Sequence, residues 1–208
     1  MPETFLTAFS NLLELGAPPA GGTALVHGGS GGVGTAAIAL GREAGVSVIV
    51  TAGGPDRCRR CEELGATAAI DHRAGDFSPR VLEATGGRGV DVVVDCIGGR
   101  TLAANLACLA SGGRLVVIGL MGGARAEIDL ALLMQKRLTV LGSTLRSRSV
   151  AAKAGLVSRF VARFGDALVA GRLRPVIDRV LPLQDVALAH RLMQDGLAFG
   201  KIVLRVAS

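Results

Sequence analysis

The sequence contains no tryptophan and no tyrosine, and aromatic residues amount to only 3% of it. A chain so poor in flat side chains has little with which to stack bases, and its basic residues are scattered rather than clustered. Nucleic acid is therefore not expected as a partner, despite a net charge of +6. Charged residues are also scarce, at 19% against 50% hydrophobic ones, and the mean hydropathy is +0.47. Disorder needs the reverse balance and is excluded. No run approaches the roughly 18 uninterrupted apolar residues of a membrane-crossing helix; even Val90–Ile97 is broken by Asp91 and Asp95. The opening Met1-Pro2-Glu3-Thr4-Phe5 lacks the basic and apolar regions of a secretory leader, so the expected location is the cytoplasm. Four cysteines do not make a disulfide framework in a chain this apolar. Cys58 and Cys61 have C-x-x-C spacing, but His27, His72 and His190 are too dispersed to supply a second ligand pair. They read as two helix cysteines, and no metal site is expected.

What is present is a regular alternation of strand and helix, the pattern of a parallel sheet covered on both faces. Thr23–His27 is a short apolar run entering a glycine cluster. Gly34–Ala44 has helical spacing and ends at Gly45, and Val46–Thr51 is β-branched and nearly all apolar. Further strands are expected at Ala68–Ile70, Val90–Val94, Leu115–Ile118 and Leu138–Gly142. Helices are expected from Asp56, as N-cap, to Leu64, over Phe77–Thr85 and around Leu102–Leu109. Six strands with these helices make a doubly wound α/β fold of the Rossmann type. An amphipathic helix over residues 3–15 precedes it. A long helix runs from Ser149 to about Ala170, and a helix and strand follow, with Lys201–Val206 last. The expected division is a dinucleotide-binding domain over 1–172 and a C-terminal extension over 173–208.

The segment from His27 to Ala37 carries G-x-G-x-x-G as Gly29, Gly31 and Gly34, after an expected strand and at the start of an expected helix. In that context Gly29 permits the turn, Gly31 lets the backbone approach a pyrophosphate, and Gly34 allows close helix–strand packing. N–H groups around Gly32 and Val33 would face phosphate oxygens. At the end of the second strand an NAD binder usually places an acid for the ribose hydroxyls. Here the run is Thr51-Ala52-Gly53-Gly54-Pro55-Asp56-Arg57, so Gly53 leaves room for a 2′-phosphate, with Arg57 and Arg59 nearby. The cofactor expected is NADPH.

Five stretches occur in an order that resembles a known family: His27–Ala37, Glu63–Ala66, Asp95–Gly99, Gly119–Gly123 and Phe199–Leu204. Together with Met1–Phe9 and Gly142–Arg148, they resemble the zinc-independent, zeta-crystallin-like quinone oxidoreductases of the medium-chain dehydrogenase/reductase superfamily, and above all their tumour-suppressor-inducible branch. The resemblance implies hydride transfer from NADPH to a quinone or similar electrophile, without zinc. It implies that Ser30, Gly31, Gly32, Val33 and Gly34 hold the pyrophosphate, and that Gly53, Arg57 and His72 surround the 2′-phosphate, His72 standing where a tyrosine is usual. Cys96, Ile97 and Gly98, with Gly119, Leu120 and Met121, would line the nicotinamide ribose and ring. Thr7 would lie below the ring, and Arg146 and Lys201 would complete the cleft. A homodimer through the edge strand 138–142 is also implied. Relatives begin with a GroES-like domain that has no counterpart here, so the expectation is a chain that begins at the hinge helix. The final strand, Ile202–Leu204, is then expected to lack its usual partners.

No catalytic residue stands out. His27 reads as a packed or capping histidine, His190 as structural on an apolar-faced helix, and Cys96 as an inert thiol. Short-chain dehydrogenases rely on a Tyr-x-x-x-Lys pair, which a chain without tyrosine cannot supply. Two alternatives stay open beside the quinone reductase: a non-catalytic NADP(H)-binding module, and an enoyl-reductase-like enzyme acting on an enone.

Overall fold

The computed structural model describes residues Pro2–Val206; Met1 and the last two residues of the expected extension lie outside them. Eight strands and eight α-helices follow in near alternation: α1 (Pro2–Ala8), β1 (Thr23–His27), α2 (Gly32–Ala44), β2 (Ser47–Ala52), α3 (Pro55–Glu63), β3 (Ala68–Asp71), α4 (Ser78–Ala84), β4 (Val90–Asp95), α5 (Leu102–Cys108), β5 (Leu109–Val117), α6 (Leu130–Gln135), β6 (Thr139–Gly142), α7 (Val150–Val169), β7 (Ile177–Pro182), α8 (Val186–Gln194) and β8 (Lys201–Arg205). Six strands form one parallel sheet in the order β3-β2-β1-β4-β5-β6. This is the doubly wound arrangement, with its crossover point between β1 and β4, where ligands bind at the strands' carboxyl ends.

Alternate residues of the same strands feed two cores. Ala24, Val26, Val48, Val50, Val92 and Val94 face α1, α2, α3 and α7. Leu25, Ile49, Val93 and Leu115 face α4, α5 and α6. The scarce phenylalanines are concentrated where helices meet. Phe9 of the amino-terminal helix stands edge-on to Phe160 and Phe164 of α7, with ring centroids 5.5 and 5.9 Å apart. That helix widens into π-helical turns over Phe9–Leu15, so the expected helix over residues 3–15 has two geometries.

The expected elements differ at three places. Asp56 is not an N-cap: Gly54 occupies that position, Pro55 follows at the first helical position, and Asp56 sits in the first turn, 3.6 Å from Arg59. β5 starts at Leu109, not Leu115, because an irregular lead-in with a register shift against β4 precedes the regular part. For Ile202–Leu204, expected to lack its usual partners, the chain itself supplies one: β8 pairs in parallel with β7, Ile202 opposite Arg179 and Leu204 opposite Leu181. This second sheet reaches the first through an isolated bridge between Gly31 and Gly200, in which the Gly200 N–H donates to the Ser30 carbonyl at 2.7 Å. No helix among the described residues is long and apolar enough to cross a membrane.

Candidate functional site

At the carboxyl ends of β1, β2 and β4 the structure opens a cleft of about 1170 Å³. Its centre is the turn from β1 into α2. A Cβ on Gly29 would lie 2.5 Å from the Val50 side chain, and one on Gly34 would collide with the Gly28 carbonyl and the Gly29 backbone. Both positions therefore exclude larger residues by contact. α2 begins at Gly32 with no side chain capping it. Among the described residues the N–H groups of Gly32, Val33 and Gly34 find no hydrogen-bond partner. Three unpaired amides at the positive end of a helix form a site for an anion.

A second basic element borders the cleft at the end of β2. A Cβ on Gly53 would stand 3.2 Å from both His72 Nε2 and Arg73 Nε. Arg57 and His72 line the cleft itself. An acid does come close here, but from β3. Asp71 accepts hydrogen bonds from the Gly54 and Arg73 N–H groups, each at 2.9 Å, and these bonds hold its carboxyl below the usual range. Its charge is thus spent on the backbone of the turn. Arg59 points away, held at 2.8 Å by Glu63.

Of the residues singled out from the sequence, Ser30, Gly31, Gly32, Val33, Gly34, Arg57, His72, Cys96, Ile97, Met121 and Lys201 all line this cleft. Gly98, Gly119 and Leu120 do not line it: Gly98 packs against the Gly119 carbonyl and the Leu120 side chain, and Leu120 is 57% exposed. The structure sets two residues apart. Arg146 is exposed and borders a separate cavity of about 380 Å³ with Glu3, Leu6 and Lys153. Thr7 does not border the cleft; its carbonyl accepts from Asn11 Nδ2, and Thr4 is the helix residue that packs on Gly32. Arg73 is the feature that sequence reasoning missed. It directly follows the nominated His72, and only the fold of the β3 end turns it back over Gly53.

The cysteines and histidines divide clearly. Cys58 and Cys61 are buried, and burial pushes the Cys61 thiol up to about 12. Cys96 borders the cleft, but burial raises it to about 11, so at neutral pH it is a thiol rather than a nucleophile. His190 is exposed on α8 rather than packed. His27 is buried, and desolvation pushes its pKa down. Among the described residues no three His, Cys, Asp or Glu side chains gather as a metal site.

The family described as "Zinc-binding dehydrogenase" matches residues 32–161, more than half of the chain. The "Quinone oxidoreductase" of Homo sapiens is 31% identical over 201 residues, which are 96% of this chain and 59% of that protein. The "Highly reducing polyketide synthase ALT1" of Alternaria alternata is 35% identical over 214 residues, covering 99% of this chain and 8% of the synthase. Among solved structures, an "NAD-dependent alcohol dehydrogenase" superposes with a TM-score of 0.85 at 35% identity, covering all of this chain and 57% of the other. The Escherichia coli quinone oxidoreductase complexed with NADPH superposes at 0.83 with 26% identity, over 97% of this chain and 62% of the other. The chain thus spans about three fifths of the quinone oxidoreductases it resembles.

Proposed function

The chain belongs to the zinc-binding dehydrogenase family of the medium-chain dehydrogenase/reductase superfamily, and on that premise we propose that it is the dinucleotide-binding part of an NADPH-dependent oxidoreductase acting on a quinone or a similarly activated electrophile. The observation that carries this reading is the basic turn at Gly53. The end of β2 bears no acid, and His72 and Arg73 converge on the place where an acid would stand. A 2′-phosphate adds negative charge at that point and is held by guanidinium and imidazole groups.

The unpaired amides of Gly32, Val33 and Gly34 are suited to the pyrophosphate, and Lys201, reaching over Gly32, adds a positive charge. The Cys96–Gly98 and Gly119–Met121 turns would flank the nicotinamide half. Thr7, which the resemblance places below the ring, and Arg146, which it has complete the cleft with Lys201, stand outside the cleft and are given no part in it. Bound NADPH supplies the hydride; the residues around it bind, orient and exclude water. No side chain here is needed as a general acid, because the oxyanion of a reduced quinone is delocalised. The family's name points to zinc, but the described residues do not fit the ion: they bring no set of three ligands together, and the paired cysteines on α3 are buried thiols.

The same reading includes a homodimer joined through β6, where Val140 and, on the neighbouring α6, Leu130 and Met134 are exposed. It also includes a cytoplasmic location and a division at about residue 172. Two other readings have specific support. The polyketide synthase match favours an enoyl reductase acting on an enone. The cleft by itself, with no catalytic side chain nominated in it, also suits an NADP(H)-binding module.

Calorimetry with NADPH and NADH, followed by turnover assays with a simple quinone and an enone, separates these readings. NADPH is expected to bind at least tenfold tighter than NADH, and the quinone is expected to be reduced. Preference for NADH overturns the Gly53 reading. Binding without turnover leaves the module, and turnover of the enone alone leaves the enoyl reductase.

A further inference from the structure

Beneath the cleft a line of buried polar groups crosses three strands and a helix. Asp95, at the end of β4, has no exposed surface. Its carboxylate accepts four hydrogen bonds: from the Ile97 N–H at 2.6 Å, the Gly98 N–H at 3.1 Å, Thr101 Oγ1 at 3.0 Å and Asn105 Nδ2 at 3.0 Å. Because Asn105 donates to Asp95, its carbonyl oxygen is the atom that faces His27 Nε2, at 2.8 Å. The hydrogen of His27 must then be on Nε2, which leaves Nδ1 to accept from the Thr51 hydroxyl at 2.9 Å. Thr51 Oγ1 accepts in turn from the Gly28 N–H at 3.4 Å.

Every donor in this line points the same way, from the backbone of the glycine loop to the carboxylate that folds the turn after β4. A line polarised in one direction is stronger than its separate bonds. Burial favours the neutral ring this requires, which outweighs the pull of Asp95; His72, beyond β3, works in the same sense as burial. Phe77 closes the line from the side, its ring edge-on to His27 with centroids 4.8 Å apart.

We infer that His27 and Asn105 are positioning residues: they hold the Gly28 end of the glycine loop and the neighbouring Cys96–Gly98 turn, which follow the adjacent strands β1 and β4, in one fixed arrangement at the floor of the cleft. Asn105 does not border the cleft, and His27 borders it with only 5% of its surface exposed. The inference rests on the dinucleotide reading of the cleft, and it assigns a use to a buried histidine that hydride transfer does not employ.

The test measures NADPH affinity by calorimetry on the wild type and on Asn105→Leu, His27→Phe and His27→Gln, each checked for folding by thermal melting. Glutamine at 27 can place an amide donor where Nε2 stands and keep the bond to Asn105. Asn105→Leu and His27→Phe are each expected to weaken NADPH at least about tenfold, and His27→Gln to recover most of the loss. Nitrogen NMR of the wild type is expected to show the Nε2–H tautomer of His27. Should Asn105→Leu not fold, the two His27 variants carry the comparison. Affinities for Asn105→Leu and His27→Phe within twofold of wild type, or a His27 proton on Nδ1, overturn the positioning role and leave the dinucleotide reading intact. A wild type that binds no NADPH overturns that reading itself.

Discussion

In β1 every residue after Thr23 is buried, whereas in β7 Ile177 and Val180 keep 49% and 46% of their surface exposed. Apart from the edge strand β6, where Val140 is 39% exposed, the large sheet is covered on both faces by its own helices, so its inner strands are almost uniformly apolar. The small β7–β8 sheet leaves its apolar side chains in solvent, Val203 among them at 38%. One sheet is complete in itself; the other contributes a wall to the cleft through Met193, Gly200 and Lys201 while leaving part of its own surface bare. The large sheet therefore carries both the stability and most of the cleft, and the small sheet adds one wall.

If so, removing bulk from the large sheet should be the most damaging change. Leu25, with no exposed surface, is expected to cost about 3 kcal/mol on Leu25→Ala. Urea unfolding would read this as a lower midpoint with an unchanged slope. Phe199 is the main anchor of the small sheet's approach: it is 2% exposed, and the Arg60 guanidinium lies 3.9 Å from its ring centroid. Phe199→Ala is expected to cost about 2 kcal/mol, but locally. Limited proteolysis should then cut between residues 183 and 206 while the six-stranded sheet stays folded. Equal loss of both sheets in one transition would abolish the contrast.

A smaller effect concerns the base of the large sheet. Asp91 accepts from Arg88 at 2.7 and 3.0 Å and from the Thr23 N–H at 2.7 Å; the Arg88 bond, foremost, holds its carboxyl below the usual range. A depressed pKa in the folded state contributes stability above the unfolded carboxylate value, near pH 4, and loses it as the pH falls through the folded value. Wild type should therefore exceed Asp91→Asn by about 1 kcal/mol at pH 7, and chemical unfolding near pH 3 should show a narrower gap. The smallest change is expected in the small sheet, where Val180→Ser should alter global stability by less than about 0.5 kcal/mol. A large loss there would show that the exposed face contributes to folding after all.

Periodicity alone makes most of the large sheet legible. Val48–Val50 and Val92–Val94 are unbroken β-branched runs, and Gly45 marks the end of α2. Local chemistry was misread where two signals competed, as at Asp56, whose side chain suits a cap although Gly54-Pro55 sets the helix start two residues earlier. The glycine loop could be read because its requirements are local. Arg73 and the His27–Asn105 line could not, because residues 27, 51, 95 and 105 meet only when strands of distant sequence lie side by side. Resemblance gave positions for Thr7 and Arg146 but not their orientation. The pairing of β7 with β8 was hidden because Ile177–Pro182 mixes charge and proline into a strand with only one hydrogen-bonded neighbour.

The bridge between Gly31 and Gly200 joins points separated by most of the chain. Residues 23–95, which supply the first four strands and the glycine turn, are synthesised long before Gly200, which completes one side of that turn's surroundings. Contacts of such long sequence separation form late. A nascent chain halted before residue 200 is therefore expected to have its glycine turn and basic turn but to lack the wall that Gly200 and Lys201 supply.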